Sequence, residues 1–217
     1  NGAGKSTLIK CLTGVHRMDA GTMMLDGQSI RPNSTQEAQK LGISTVYQEV
    51  NLCHNLTVAE NIFIGRQPMK CGQIDWKAIN SRAKELVNRM GMDIDVTLPL
   101  TSYSIALQQM VSIARAVDIN AKVLILDEPT SSLDEHEVRR LFDVMRDLKA
   151  QGLGIIFITH FLNQVFEVSD RITVLRNGKL VGEYPTDGIS RLDLVTSMIG
   201  KDMNVIYNLK KASQKAD

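Results

Sequence analysis

This chain of 217 residues has few cysteines, a net charge close to zero and no long apolar run. Its three cysteines, Cys11, Cys53 and Cys71, have no metal-ligand spacing and no even count, which argues against a disulfide framework and fits a reducing cytoplasm. A net charge of +1 without a long Lys/Arg stripe gives no reason to expect a nucleic-acid partner. No apolar run approaches the ~20 residues that a spanning helix needs. A role at a membrane would therefore be exercised from its surface.

A phosphate-binding pattern stands at the start of the chain. Gly4-Lys5-Ser6 ends the pattern G-x-x-x-x-G-K-[ST], whose first two positions would precede Asn1, so we expect a fragment that lacks its own N-terminus. Glycines let backbone N–H groups approach phosphates, and the positive end of the following helix adds to the field. A chance glycine-rich turn before a helix is the alternative. The residues predicted to bind a nucleoside triphosphate are Asn1, Gly2, Ala3, Gly4, Lys5, Ser6 and Thr7.

Within this pattern, two side chains have separate predicted roles. Lys5 is expected to reach the β- and γ-phosphates, and the Ser6 hydroxyl is expected to coordinate Mg²⁺.

Apolar β-branched runs alternate with amphipathic stretches, which predicts an α/β fold with a mostly parallel sheet. Candidate strands cover residues 43–47, 123–126 and 155–159, and the last two are apolar enough to be buried on both faces. Two further runs, Arg171–Arg176 and residues 179–183, flank Asn177-Gly178, which is a strong signal for a two-residue hairpin.

The middle of the chain has a different pattern. Between about His54 and Asn120, helices are predicted and no convincing strand. Thr57 and Glu60 have capping-box spacing, and apolar residues recur at helical spacing over 76–90 and 106–117. We therefore expect a helical insertion. The predicted domains are a nucleotide-binding core of residues 1–53 and 121–201, a helical subdomain of residues 54–120, and a linker or tail of residues 202–217.

Two adjacent acids follow the apolar run at 123–126. Because consecutive side chains of a strand point to opposite faces, Asp127 and Glu128 should have different roles. Asp127 is expected to act on Mg²⁺ beside Ser6, and Glu128 to orient and polarise an attacking water. A strand that merely ends in a polar turn is the alternative.

Three polar residues at the ends of elements complete the candidate site. Gln48, after the strand 43–47, could touch both Mg²⁺ and the water, although Gln at a strand end is commonly just solvated. His160, after the strand 155–159, could hydrogen-bond to the γ-phosphate or have a structural role. Ser104 begins the segment Ser-Ile-Ala-Leu-Gln-Gln, where it either caps the next helix or forms a second anion site with the helix N–H groups.

The order of these motifs resembles the ATPase domain of ABC transporters. The match runs from Asn1 to about Lys201. Within the family, the chain is most similar to the bacterial monosaccharide importers of the ribose, xylose and galactofuranose group. The motifs resemble the Walker A, Q-loop, signature, Walker B, D-loop and H-loop of that family, in the order Gly4-Lys5-Ser6-Thr7, Gln48, Ser104–Gln109, Asp127-Glu128, Ser131-Ser132-Leu133-Asp134 and His160.

Two sequence stretches indicate the sugar-importer group. One is Val46-Tyr47-Gln48-Glu49-Val50-Asn51-Leu52, and the other is the signature, which in this group typically has the form L-S-V/I-A-Q-Q-Q. Tyr103 replaces the usual Leu and Leu107 replaces the first Gln. Because the serine and the helix start are kept, we expect the contact with the γ-phosphate to be kept as well. The signature residues that this resemblance implies at the nucleotide are Ser104, Ile105, Ala106 and Gln108.

The resemblance implies a fold, an activity and two bound species. The fold would be a P-loop NTPase (RecA-like) core with an inserted all-helical ABC subdomain. The activity would be transport-coupled ATP hydrolysis of the EC 7.5.2 monosaccharide-translocase type, with ATP and Mg²⁺. Catalysis would rest on Glu128, His160 and Gln48, and the metal contacts on Ser6, Gln48 and Asp127.

The resemblance also implies partners and a location. A second ATPase domain, in the same polypeptide, would pair head to tail with this one. Membrane permease subunits would dock on the helical insertion and Gln48, and a periplasmic sugar-binding protein would act from the other side. The domain would lie at the cytoplasmic face of the inner membrane. Two alternatives are a soluble ABC ATPase without a transport role, acting on ribosomes or DNA, and a regulatory module that binds ATP without turnover.

Overall fold

The structure is a computed structural model that describes residues 2–47, 52–119 and 121–200. Helices in these ranges are α1 (Lys5–Leu12), α2 (Thr35–Leu41), α3 (Val58–Phe63), α4 (Trp76–Arg89), α5 (Ile105–Asp118), α6 (Glu135–Ala150), α7 (Leu162–Val168) and α8 (Arg191–Ile199). Strands are β1 (Met23–Leu25), β2 (Gln28–Ile30), β3 (Ile43–Val46), β4 (Met69–Lys70), β5 (Gln73–Ile74), β6 (Val123–Asp127), β7 (Gly154–Ile158), β8 (Arg171–Arg176) and β9 (Lys179–Pro185).

Parallel pairing of β3, β6 and β7 forms a three-stranded sheet with β6 in the middle. Ile43 pairs with Val123, and Asp127 pairs with Ile158. Leu124, Ile125 and Leu126 are fully buried, as expected for a central parallel strand covered on both faces. The strands predicted at 43–47, 123–126 and 155–159 are confirmed with ends within one residue.

The prediction that the strand at 155–159 is buried on both faces is wrong. Ile158 is buried, but Ile155 and Phe157 are half-buried and Ile156 is 37% exposed. Edge position alone is not the reason, because β3 lies at the other edge of the same sheet and is largely buried. Side chains alternate between the two faces of a strand, and the exposed Ile156 lies on the face opposite Ile155 and Phe157. Phe157 is stabilised on one face by Phe142 of α6, whose ring meets it edge-on at 5.9 Å between centroids.

The chain divides into two compact units. The described part of the first comprises residues 2–10 and 161–200, and the second comprises residues 11–160. In the first unit, Ile172, Val174 and Leu194 form the buried core beneath α7, α8 and the β8–β9 hairpin. This hairpin is confirmed, because Asn177 and Gly178 join the two antiparallel strands with φ of 52° and 73°.

Three helices of the second unit confirm the pattern read between residues 54 and 120. The hydroxyl of Thr57 accepts from the Glu60 N–H at 3.1 Å, and the Glu60 carboxylate accepts from the Thr57 N–H at 2.8 Å, which completes the predicted capping box of α3. Ile79 of α4 and Ile113 of α5 lie in the core.

The prediction that no strand lies between residues 54 and 120 is wrong, because the structure has two short strands there. Antiparallel strands β4 and β5 form a small hairpin there, joined by Cys71 and Gly72 with φ of 52° and 78°. Each strand has only two residues, and both are exposed. Two residues are too few to show an alternating pattern, so periodicity cannot detect such a strand.

Gly14 packs closely against the backbone just before α2, and a substitution there tests this packing. Its φ is 71°, and a Cβ there would lie 2.7 Å from the Ser34 nitrogen and 2.8 Å from the Ser34 oxygen. We expect Gly14→Ala to lower the free energy of unfolding by roughly 2–4 kcal/mol, since left-handed strain and a backbone clash add. Gly27→Ala is the control: φ is 74°, but a Cβ would meet no atom within 4 Å, so about 1 kcal/mol is expected. Equal urea midpoints for the two variants would refute the clash.

Within residues 2–47, 52–119 and 121–200, no helix combines the length and the apolar character needed to cross a bilayer. Residues 202–217, predicted as a linker or tail, lie outside the described residues.

Candidate functional site

The phosphate-binding pattern forms a sharp turn that leads into α1. Gly2 and Gly4 have φ of 85° and 93°, a region that glycine enters without steric cost. The Leu8 N–H donates to the Gly4 carbonyl at 3.0 Å, so the first helical turn is formed directly after the loop. The first N–H groups of a helix have no partner inside it, and here they belong to the residues of the pattern. Ser6 and Thr7 are exposed and Lys5 is half-buried.

Close backbone contact gives Gly4 a second constraint. The Gly178 N–H donates to the Ala3 carbonyl at 3.1 Å, and a Cβ on Gly4 would lie 3.2 Å from the Gly178 Cα. Both glycines belong to the first unit. The turn of the β8–β9 hairpin and the turn before α1 therefore approach each other through backbone atoms.

Glu128 has an unusual backbone at the end of the central strand. β6 ends at Asp127, and Glu128 has a φ of 50°, a left-handed conformation that costs a non-glycine residue energy. The Glu128 N–H donates to the Ile158 carbonyl at 2.9 Å, and its carbonyl accepts from the Ser131 N–H at 3.3 Å. These two hydrogen bonds hold the strained residue in place beyond the strand. Strand alternation therefore no longer fixes its direction.

His160 lies beside the Glu128 carboxylate. Its Nδ1 is 3.5 Å from Glu128 Oε2, which is ion-pair range when the imidazole is protonated but longer than an ordinary hydrogen bond. The Glu128 side chain is 24% exposed and that of His160 is 57% exposed. The parallel strands β6 and β7 bring these residues together because both follow carboxyl ends at the same edge of the sheet.

The signature segment presents a serine at the start of α5. The Ser104 hydroxyl accepts from the Leu107 N–H at 3.4 Å and caps the helix. Ser104 and Ile105 are exposed, while Ala106 is buried. The Gln108 side chain donates to the Tyr103 carbonyl at 2.9 Å. Among these four predicted residues, the Ser104 hydroxyl and the Ile105 side chain face solvent most openly.

Tyr103, the unusual residue before the serine, has a hydrogen-bonded place of its own. Its hydroxyl donates to the Asp95 carbonyl at 2.7 Å. The hydroxyl and the N–H of Thr97 donate to the Asp95 carboxylate at 2.7 and 2.9 Å, and these bonds, the hydroxyl first, hold the pKa of Asp95 below its ordinary value. The larger side chain is thus accommodated by an ordered turn before the signature.

Glu137 contacts the signature and is missed by sequence reasoning. The Ser104 hydroxyl lies 3.4 Å from Glu137 Oε1 and donates to it, although 33 positions separate the two residues. Glu137 also accepts from the Asp134 N–H at 3.1 Å, as the third residue of α6. The spacing of Asp134 and Glu137 is that of a capping box, a signal that locates Glu137 at the helix start but not beside Ser104.

The predicted residues fall into two groups. Gly2 to Thr7 belong to the first unit, and Ser104, Asp127, Glu128 and His160 belong to the second. Asn1 and Gln48, which were predicted to bind the nucleotide and to serve catalysis, lie outside the described residues.

The sequence matches the model of a known protein family. A family model described as "ABC transporter" matches residues 1–131, which is more than half of the sequence. The chain belongs to the ABC transporter family. The resemblance found in the order of its motifs is thereby confirmed.

Two curated relatives indicate the group within the family that the chain is most similar to. The galactofuranose transporter ATP-binding protein YtfR of Escherichia coli K12 is 55% identical over 99% of this chain and 43% of that protein. The ribose import ATP-binding protein RbsA 1 of Rubrobacter xylanophilus is 48% identical over 94% of this chain and 40% of that protein. These names confirm the likeness to the sugar-importer group of ABC transporters. The chain spans about two fifths of the length of these relatives.

A solved ATP-binding cassette confirms the fold class. MJ0796, solved as a dimer in a post-hydrolysis state with ADP and Pi, is 25% identical to this chain, with a TM-score of 0.69 over 86% of this chain and 82% of that one. The predicted P-loop NTPase fold, a parallel sheet with helices, is therefore that of an ABC cassette.

Proposed function

We propose that this chain is an ATP-binding and ATP-hydrolysing domain that powers sugar import through an ABC transporter. The observation that carries the proposal is the pair formed by Glu128 and His160, 3.5 Å apart after neighbouring parallel strands, in a chain of this family. The names of the relatives, which are sugar-transport ATP-binding proteins, support monosaccharide as the cargo. The finer activity class is a monosaccharide translocase of the EC 7.5.2 type.

Nucleotide binding is assigned to the turn before α1. Its glycine backbone and the first N–H groups of the helix would contact the phosphates, together with Thr7 and Asn1. Lys5 would donate to the β- and γ-phosphates, because a lysine is a compact positive charge with three donors.

Hydrolysis is assigned to Glu128. Its carboxylate would accept a hydrogen bond from a water and direct the water oxygen at the γ-phosphorus. As the water oxygen bonds to the γ-phosphorus, its proton passes to the Glu128 carboxylate, the bond to the bridging oxygen breaks, and ADP and phosphate leave. His160 would hydrogen-bond to a γ-phosphate oxygen and also keep Glu128 in place. The strained φ of Glu128 supports this role, since such strain accumulates where function requires an otherwise unfavourable position.

Mg²⁺ fits the oxygen donors available for it. The Ser6 hydroxyl, the Asp127 carboxylate and the Gln48 amide oxygen are hard ligands of the kind that Mg²⁺ takes. Among the described residues, no group of three His, Cys, Asp or Glu side chains is placed to hold a metal ion. The ion would neutralise phosphate charge when bound.

A second ATPase domain is the proposed partner. Ser104, Ile105, Ala106 and Gln108 of one domain would cover the γ-phosphate bound by the other. Since Ala106 is buried and the Gln108 amide bonds to Tyr103, these two would contribute through the backbone and through support of the loop. Permease subunits, and indirectly a periplasmic sugar-binding protein, would complete a transporter with this domain peripheral at the cytoplasmic face of the inner membrane.

Transport coupling is tested with the complete protein, its permease and its sugar-binding protein in lipid vesicles. We expect ATP hydrolysis to rise several-fold when a sugar-loaded binding protein is added, with uptake of a labelled monosaccharide that requires ATP. A panel of pentoses and hexoses serves as cargo. Vesicles given a non-hydrolysable ATP analogue are the control.

Two outcomes would replace the proposal. Hydrolysis that is indifferent to the permease would favour a soluble ABC ATPase without a transport role. Tight ATP binding with no turnover under any of these conditions would favour a regulatory module.

A further inference from the structure

The hydroxyl of Ser104 is already engaged by a carboxylate. Ser104 Oγ accepts from the Leu107 N–H and lies 3.4 Å from Glu137 Oε1. A serine hydroxyl has a single proton to donate. When it donates to Glu137, it cannot donate to a phosphate oxygen at the same time. A nucleotide that binds at Ser104 must therefore displace this hydrogen bond.

Glu137 is held at this position by the start of α6. Its Oε2 accepts from the Asp134 N–H at 3.1 Å, while Asp134 Oδ1 accepts from the N–H groups of His136 and Glu137, both at 2.8 Å. One carboxylate oxygen thus caps α6 and the other faces the signature serine. Because the cap fixes the first oxygen, the second cannot move far from Ser104 without loss of the cap.

The charge of Glu137 is unfavourable for an incoming phosphate. A carboxylate and a phosphate oxygen that share one serine hydroxyl as donor lie within a few ångströms of each other, and like charges at that distance repel even near water. The contact is exposed to solvent, so the repulsion is screened by salt and moderate in size.

We propose that Glu137 is a positioning residue that occupies the Ser104 hydroxyl until the γ-phosphate of the ATP on a second domain replaces it, a role that rests on the proposed function. Glu137 contacts no substrate in this scheme and acts through the Ser104 hydroxyl and through its negative charge. It orients the serine while the site is open, and it weakens the closure that ATP drives. Since Asp134 ends the predicted D-loop, the same carboxylate joins the D-loop to the signature.

Glu137→Gln separates this role from a structural one. A capping box accepts Gln as well as Glu at this position, so α6 keeps its cap while the negative charge is lost. In the complete transporter, we expect the KM for ATP to fall on the order of three- to tenfold, with kcat within about twofold of wild type. The wild-type to variant ratio of KM should shrink as salt is raised, because screening weakens the repulsion.

Two further variants control this result. In a Ser104→Ala background, Glu137→Gln should lower KM clearly less than it does in the wild type, because the hydroxyl that both anions share is absent and only the charge repulsion remains. Glu37→Gln is the matched control: Glu37 accepts from the Asn33 N–H at 2.8 Å at the start of α2 and is outside the signature. It should change neither constant.

The outcomes are distinct. An unchanged or raised KM in Glu137→Gln, or an equal fall in the Ser104→Ala background, overturns this inference while hydrolysis itself stands. A wild-type transporter that hydrolyses no ATP overturns the proposed function and this inference together.

Discussion

Glu128→Gln is expected to slow ATP hydrolysis by roughly 10²–10⁴-fold, the range for loss of a positioned general base. The amide keeps the size of the side chain but accepts a proton from water poorly. Because no phosphate contact is assigned to Glu128, the Kd for ATP should stay within a few-fold of wild type. Phosphate release and equilibrium nucleotide binding, both measured on the complete transporter, check the two halves of the prediction.

Glu37→Gln is the matched control for this prediction. Glu37 lies at the start of α2, outside the helical insertion on which the permease is expected to dock, so the same chemical change should leave turnover unaltered. Turnover at the wild-type rate in Glu128→Gln would remove Glu128 from the mechanism. A parallel loss of ATP binding would instead indicate that the carboxylate supports the fold of the site.

A variant that fails to fold would also lose activity. The contacts of Glu128 argue against such a folding defect in Glu128→Gln. The N–H of Glu128 bonds to Ile158 and its carbonyl to Ser131, so the strained conformation is held by backbone atoms that the substitution retains. The side chain is 24% exposed, and Gln needs no ionic partner there. The variant should therefore fold, and its melting temperature is a direct check.

The fold was largely accessible from periodicity. The buried strand β6 and the hairpin around Asn177-Gly178 follow from apolar runs and from a turn that demands positive φ at two residues. The exposure of β7 could not be predicted in this way. An apolar run indicates a strand, but its burial depends on which elements cover it, and that is decided by contacts far away in the sequence.

In the candidate site, only the residues that belong to sequence motifs could be predicted from the sequence. Glu128 could be singled out because it follows an apolar strand, but its left-handed backbone has no sequence signal, since Glu is disfavoured there. The contact between Ser104 and Glu137 depends on how α5 and α6 approach each other, across 33 residues of chain. Local spacing predicts the caps of both helices, but it does not predict that the two helix starts contact each other.

The second large effect is expected for Lys5→Ala. Lys5 starts α1 directly after Gly4, whose φ of 93° aims the chain into the helix. The ammonium is assigned to the β- and γ-phosphates, and charge-assisted hydrogen bonds of this kind are about twice as strong as neutral ones. We expect the Kd for ATP to rise on the order of 10²-fold or more, and ATP-dependent transport to be lost with it.

Lys10→Ala is the control, because it removes one positive charge from the same helix. Lys10 lies in the last turn of α1, away from the end that would bind phosphate. Its Kd for ATP should match wild type within about twofold, since a charge beyond the first turn adds little to the field at the helix start. ATP binding by Lys5→Ala at wild-type affinity would mean that the backbone alone holds the phosphates. Equal losses in both variants would assign the effect to net charge and leave Lys5 without a specific contact.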